Sequence, residues 1–330
     1  MSRRASVVLL TMALAWPSML AAQSIGFVER DTAVVTGKIR LPATLTVPSG
    51  AARAPGIVLV HGSGPNDRDE TVGANKPFRD LAQGLAERGI VVLRYDKRSK
   101  VAPLSFMGGT FTVDDEVVDD ALSAASLLRG LPEVNPGWVV VLGHSLGGML
   151  APRIGARDTA LAGLVILAGA TRSLADMMEE QITYMRGLPG ADTAAIDRAL
   201  AGLAPSLAAV RALIPADSGS RKPILGAPAA YWLDLAAYYP VSVAAKLRMP
   251  ILILQGGRDY QVTRVDFEAW REGLAGNTAV EFREYPSLSH LFIAGEGAPN
   301  PAEYGEAGTV DPQVILDIAE WVKGLPARWR

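Results

Sequence analysis

Five short, almost unbroken apolar runs punctuate this chain: IVLVHG (57–62), GIVVLRYD (89–96), WVVVLGHS (138–145), LAGLVILAGA (161–170) and PILILQGGRD (250–259). A strand with one wet face alternates apolar and polar side chains. Runs as continuous as these suit strands covered on both faces, the condition of parallel strands packed between helices. A sixth run, VEFREYPSLSH (280–290), completes the set of core strand candidates. Helix-like stretches lie between them. PFRDLAQGLAERG (77–89) is one, and DDEVVDDALSAASLLRG (114–130) begins acid-rich and ends Arg129-Gly130, as the helix dipole and C-cap favour. DPQVILDIAEWVKGL (311–325) opens on Asp-Pro, a good N-cap and first-turn pair. Alternating strands and helices predict an α/β fold with a mostly parallel central sheet flanked by helices. Segment 25–48 reads as one or two antiparallel edge strands, LPATLTVP being the clearer.

One region breaks this rhythm. About eighty residues separate Ala170 from Pro250, where a crossover needs far fewer. They are rich in Ala, Leu and Met and are interrupted by GLPG (187–190) and PADSGSRKP (215–223). The expectation is a helical insertion, residues 172–246, splitting a core made of 23–171 and 247–330.

The first residues have the form of an export signal: Arg3 and Arg4, an apolar stretch from Ala5 to Leu20, then Ala21 and Ala22. Cleavage after Ala22 is expected, although Leu20 stands where a small residue is usual. The apolar part is shorter than the roughly 20 residues of a spanning helix and Pro17 interrupts it. An uncleaved anchor is the alternative. Removing residues 1–22 takes away two arginines and no acid. The expected product is an exported, periplasmic or secreted protein with no stable membrane insertion.

Composition narrows the chemistry. Formal net charge is −2 and no basic cluster alternates with aromatics, so no nucleic-acid partner is indicated. Cysteine is absent, which excludes disulfides, thiolate catalysis and cysteine zinc sites. With three histidines, His61, His144 and His290, a histidine-rich metal site is not expected either.

Within the third run, LGHSLGG (142–148) boxes Ser145 between glycines, and GGMLAPRIGA follows as a helix start. A strand, then Gly-x-Ser-x-Gly, then a helix is the context of a nucleophile elbow. Side chains two positions either side of the serine must be minimal, and Gly143 and Gly147 stand there. The turn lifts the hydroxyl from the sheet and aims a helix N-terminus at whatever it attacks. A serine needs a base, and the base an orienting acid. His144 adjoins the serine and must point away from it, which suits a packing role. His61 ends a strand in HGSG. His290 is left as the base, with a structural histidine as its alternative. Asp259, closing a buried strand in QGGRDYQV, is the matching acid, ahead of Asp176, Asp266 and Glu268. The order Ser145, Asp259, His290 follows. Backbone N–H groups of Leu146, after the nucleophile, and of Ser63, in HGSGPNDRDE (61–70), are the expected oxyanion donors, with His61 shaping that loop.

Taken together, HGSG, GHSLGG, the acid of GGRDYQV and the histidine of LSHLF resemble the α/β-hydrolase superfamily over roughly residues 35–325. The resemblance is greatest to secreted bacterial esterases of the serine-aminopeptidase-like and dienelactone-hydrolase-like branches. In RYDKRSK (94–100), Asp96 and Arg98 fit the Asp-x-Arg-Gly stretch frequent in that superfamily, while Ser99 replaces the glycine. The resemblance implies a cap between the sixth and seventh strands, where the insertion falls. The site of Ser145, Asp259 and His290 suits a serine hydrolase acting through an acyl-enzyme on small-molecule esters, without metal or organic cofactor. The apolar methionine and aromatic residues of the insertion favour small to medium acyl chains. Met177, Met178, Tyr184, Tyr231 and Trp232 are the expected substrate-binding residues, since methionine and aromatics suit an adaptable apolar pocket. A terminal peptidase using Glu179 and Glu180, an acyl transferase or thioesterase, and a non-catalytic scaffold are the rival readings.

Overall fold

The computed structural model describes residues 26–326 apart from Met107. The apolar stretch read as an export signal lies outside them. Two long strands come first, β1 (Phe27–Thr36) and β2 (Ile39–Pro48). The core then alternates: β3 (Ala54–Val60), α1 (Pro77–Ala86), β4 (Val91–Tyr95), a single turn α2 (Arg98–Val101), α3 (Asp119–Arg129) and β5 (Val134–His144). Next come α4 (Leu146–Arg157) and β6 (Gly163–Leu167). Four helices interrupt the pattern: α5 (Leu174–Arg186), α6 (Thr193–Arg211), α7 (Ala229–Ala236) and α8 (Pro240–Ala244). The chain returns with β7 (Ile251–Gly256), α9 (Arg264–Gly273), β8 (Val280–Tyr285) and α10 (Pro312–Gly324).

These strands form one sheet in the order β1-β2-β4-β3-β5-β6-β7-β8. β1 and β2 pair antiparallel, as does β2 with β4, and every other pair is parallel. The expected hairpin therefore exists, but of its two strands only β1 lies at an edge of the sheet. β2 is interior because its other side hydrogen-bonds β4, which accounts for the burial of Ala43 through Pro48. The apolar runs are buried as their continuity predicted: Ile57 to Val60 and Val139 to Leu142 have no exposed surface. Each such side chain contributes about 1.5–3 kcal/mol of burial free energy.

The helix expected over 114–130 is wider at its start, a turn of π-helix over Asp114–Val118 preceding α3. Asp311 caps α10 as its Asp-Pro start implied, accepting from the Gln313 N–H at 2.8 Å. Among the described residues no helix is long and apolar enough to cross a membrane.

The topology fixes where a site can form. From β3 the chain moves outward to β4, then crosses back to β5 on the other side of β3. At such a switch point two neighbouring strands send their loops apart, leaving a crevice at their carboxyl ends. Val60 pairs with Gly143, so the loops starting at His61 and at His144 leave the sheet side by side.

Candidate active site

Ser145 sits between β5 and α4 at φ 54°, ψ −115°, a conformation that a side chain rarely adopts. Neighbouring contacts hold it there. Its N–H donates to the Leu167 carbonyl at 2.9 Å, and its own carbonyl accepts from Met149 N–H at 2.9 Å, opening α4. The flanking glycines are obligatory. A Cβ on Gly143 would stand 2.1 Å from the Gly147 carbonyl oxygen, and one on Gly147 2.2 Å from that of Val60. The turn thus presses the serine against β3 and its outgoing loop, and Gly62 packs beside Ser145.

A second pair of loops meets where β7 and β8 end, since Gly256 pairs with Tyr285. Here too glycine permits the approach: a Cβ on Gly256 would lie 2.5 Å from the Ser289 carbonyl oxygen, and one on Gly257 2.7 Å from the Pro286 Cα. The consequence is that Asp259 and His290, both buried, come together, His290 Nδ1 lying 2.6 Å from Asp259 Oδ2. Asp259 Oδ1 accepts from the N–H groups of Gln261 at 2.8 Å and Val262 at 2.9 Å, and Oδ2 also faces the Gln255 amide at 3.3 Å. The carboxylate is aimed by donors on every side. The other acids weighed in the sequence are engaged elsewhere. Asp176 lies on the surface against Arg211, Glu268 pairs with Arg264, and Asp266 is buried against Arg172 and Thr171.

Two groups stand beneath these residues, His144, read from the sequence as packing, and Glu70, which the motifs did not single out. His144 is more than packing: its Nε2 meets the His290 carbonyl at 3.0 Å and its Nδ1 lies 2.9 Å from Glu70 Oε2. With acceptors at both nitrogens, the ring is placed to carry both protons. Burial pulls its pKa down, but the Glu70 charge and the two contacts outweigh that and hold it above the ordinary imidazole value. Glu70, equally buried, is opposed by its own desolvation yet held below the usual carboxylate range by His144. Its other oxygen accepts from Gly62 N–H at 2.6 Å. The pair therefore ties the β3 loop to the backbone of His290. His61 differs: it is buried between Phe78 and Tyr95, its Nε2 finds no partner among the described residues, and desolvation pushes its pKa down to about 4.

Next to the β3 loop opens a cavity of about 390 Å³ lined by Ser63, Gly64, Phe106, Phe111, Met178, Tyr231 and Trp232, with Glu116 at its wall. Of the residues expected to bind substrate, Met178, Tyr231 and Trp232 border it. Met177 and Tyr184 do not. Met177 is buried in the apolar core, and Tyr184 stacks on Tyr260 while its hydroxyl donates to the Pro299 carbonyl. Helical periodicity explains the difference between adjacent methionines, which point about 100° apart on α5. A second cavity of about 470 Å³, bordered by Met149 and Tyr238, shares Leu174 and Trp232 with the first. Leu146 is buried directly after the nucleophile.

Comparison with known proteins places the fold and the family. A family model described as alpha/beta hydrolase matches residues 57–306. Esterase EstD of Thermotoga maritima is 44% identical over 299 residues, covering 90% of this chain and 68% of that protein. Among solved structures, a Pyrococcus furiosus esterase superposes with a TM-score of 0.58 at 16% identity, covering 91% of each chain. A putative dienelactone hydrolase from Klebsiella pneumoniae gives 0.52 at 17% identity, over 91% of this chain and 99% of its own. The long match to the family model, the identity to EstD and the shared fold lead to one assignment: the chain belongs to the alpha/beta hydrolase family.

Proposed function

We propose that the protein is a carboxylesterase in which Ser145 is the nucleophile, His290 the base and Asp259 the acid that orients it. The observation carrying this reading is the buried 2.6 Å contact between His290 Nδ1 and Asp259 at the same sheet edge as the Ser145 turn. EstD, an esterase by name, supports the reaction class. His290 takes the hydroxyl proton as Ser145 Oγ attacks the ester carbonyl. The tetrahedral oxyanion is held by the N–H groups of Leu146 and Ser63. His290 then returns the proton to the leaving alcohol, and water, deprotonated by the same imidazole, releases the acid and restores the serine. Asp259 fixes the tautomer, with the proton on Nδ1, and stabilises the imidazolium.

The helices inserted between β6 and β7 serve as a cap over this edge, and the cavity they share with the β3 loop receives the acyl group. Its apolar walls favour uncharged acyl chains of small to medium size. The peptidase alternative asked for free cap carboxylates. Instead Glu180 sits against Arg172 and Glu179 against Arg211, and neither borders the cavity.

The test is a p-nitrophenyl ester series from acetate to palmitate, run beside aminoacyl-anilides. Short and medium esters are expected to turn over, anilides are not, and Ser145→Ala is expected to lower kcat by about 10⁶-fold. Anilide cleavage of comparable efficiency would move the protein to the peptidases. Ester turnover surviving in Ser145→Ala would remove the serine from the mechanism.

A further inference from the structure

The Gly62–Ser63 peptide is gripped at its carbonyl by a buried cation. Lys97 is buried, and its ammonium donates to the Gly62 carbonyl at 2.8 Å. That carbonyl and the Ser63 N–H are the two ends of one conjugated peptide unit, pointing in opposite directions. On the preceding peptide, the Gly62 N–H donates to Glu70 at 2.6 Å, so charged side chains hold the residue from both sides. The backbone N–H of Lys97 also bonds the Asn66 carbonyl at 3.0 Å, locking its segment to the same loop.

We propose that Lys97 is a positioning residue of the oxyanion hole: by drawing electron density toward the Gly62 oxygen it aims the Ser63 N–H and strengthens it as a donor to the transition state. This rests on the esterase reading, in which Ser63 supplies that donor. The physical basis is that a hydrogen bond to one end of a peptide polarises the other, the more so in a low-dielectric setting. Donors fixed in advance where charge develops act on the transition state rather than on bound substrate. A lysine kept only for packing would have no reason to carry its charge into this site. Burying an ammonium is costly, and here Glu116, 3.2 Å away, offsets that charge. Glu116 in turn accepts from the Tyr231 hydroxyl at 2.9 Å, at the wall of the acyl cavity. A line of polar contacts runs from the cavity wall through Glu116 and Lys97 to the Gly62–Ser63 peptide.

The experiment compares wild type with Lys97→Met. Because that change strands a buried carboxylate, Lys97→Met/Glu116→Leu, which removes both charges, is measured beside it. The readouts are kcat and KM for p-nitrophenyl butyrate and the inhibition constant of an alkylboronic acid, whose tetrahedral adduct on Ser145 carries the negative charge of the transition state. Both variants are expected to lose about 10–100-fold in kcat, and in boronate affinity by the same factor, with KM changed less than about threefold. Folded variants, verified by melting and circular dichroism, that bind boronate as wild type does would overturn the proposal. So would a loss confined to KM. If wild type binds boronate but hydrolyses no ester, the esterase reading fails by itself, and the boronate affinities still decide the role of Lys97.

Discussion

Ser145 and Asp259 show how much of the site is local geometry. A non-glycine residue in the conformation of Ser145 costs on the order of 1–3 kcal/mol, tolerated only where its surroundings over-determine it. Here the Leu167 carbonyl and the α4 helix start do so. Asp259 differs from Asp176 and Asp266 in having a histidine where they have arginines. An amide in its place keeps the shape but turns one accepting oxygen into a donor, so the ring of His290 is offered the wrong tautomer. Asp259→Asn is therefore expected to lower kcat on the order of 10⁴-fold at nearly unchanged KM and melting temperature. A kcat within tenfold of wild type in a steady-state assay would mean that Asp259 does not orient the base.

At the scale of elements, Trp232 on α7 borders both cavities, as Leu174 does, its indole N–H donating to the Ile224 carbonyl at 2.8 Å. Trp232→Leu should join the spaces and move the chain-length optimum of an ester series toward longer acyl groups. An unchanged optimum would place acyl selection elsewhere. The core elements were legible because their burial is written locally: continuous apolar runs became β3 to β7, and the glycines around Ser145 foretold the turn. The inner position of β2 was not, since an antiparallel strand reads alike whether or not a neighbour pairs with its far side. Glu70 and Lys97 were hidden for a related reason. In HGSGPNDRDE and RYDKRSK they stand among other charged residues. Which of a group of solvated-looking charges is buried depends on distant packing. Of Met177 and Met178, only the turn of α5 chose the one that borders the cavity.

Across the molecule, the buried histidines set opposing pH slopes. His61, whose pKa falls from its ordinary 6.5 to about 4, is neutral when folded, while the unfolded chain takes up the proton first. Its effect is to weaken the fold as pH drops from 6.5 to about 4, by about 3 kcal/mol in all. His144 acts in reverse. Its folded pKa is raised, so its contribution is complete below 6.5 and is lost as pH climbs through the folded value. Glu70, with a depressed pKa, contributes above 4.5 and is lost only at lower pH. Melting temperature is thus expected to peak near pH 6.5, and His61→Phe to flatten the acid limb between pH 6.5 and 4. Parallel acid limbs in thermal melts of the two proteins would refute the assignment.

The sheet edge that gathers these groups has a consequence in time. His144 and His290 touch across 146 positions of sequence, and the four loops concerned leave β3, β5, β7 and β8. Contacts of such separation form late, after the entropy of closing long loops has been met. In the proposed mechanism, a growing chain that has built β3 to β6 and their helices still lacks His290, the base assigned to Ser145. On that mechanism hydrolysis is expected only once β8 has docked, so recovered activity in a refolding experiment would mark the completion of folding rather than its onset.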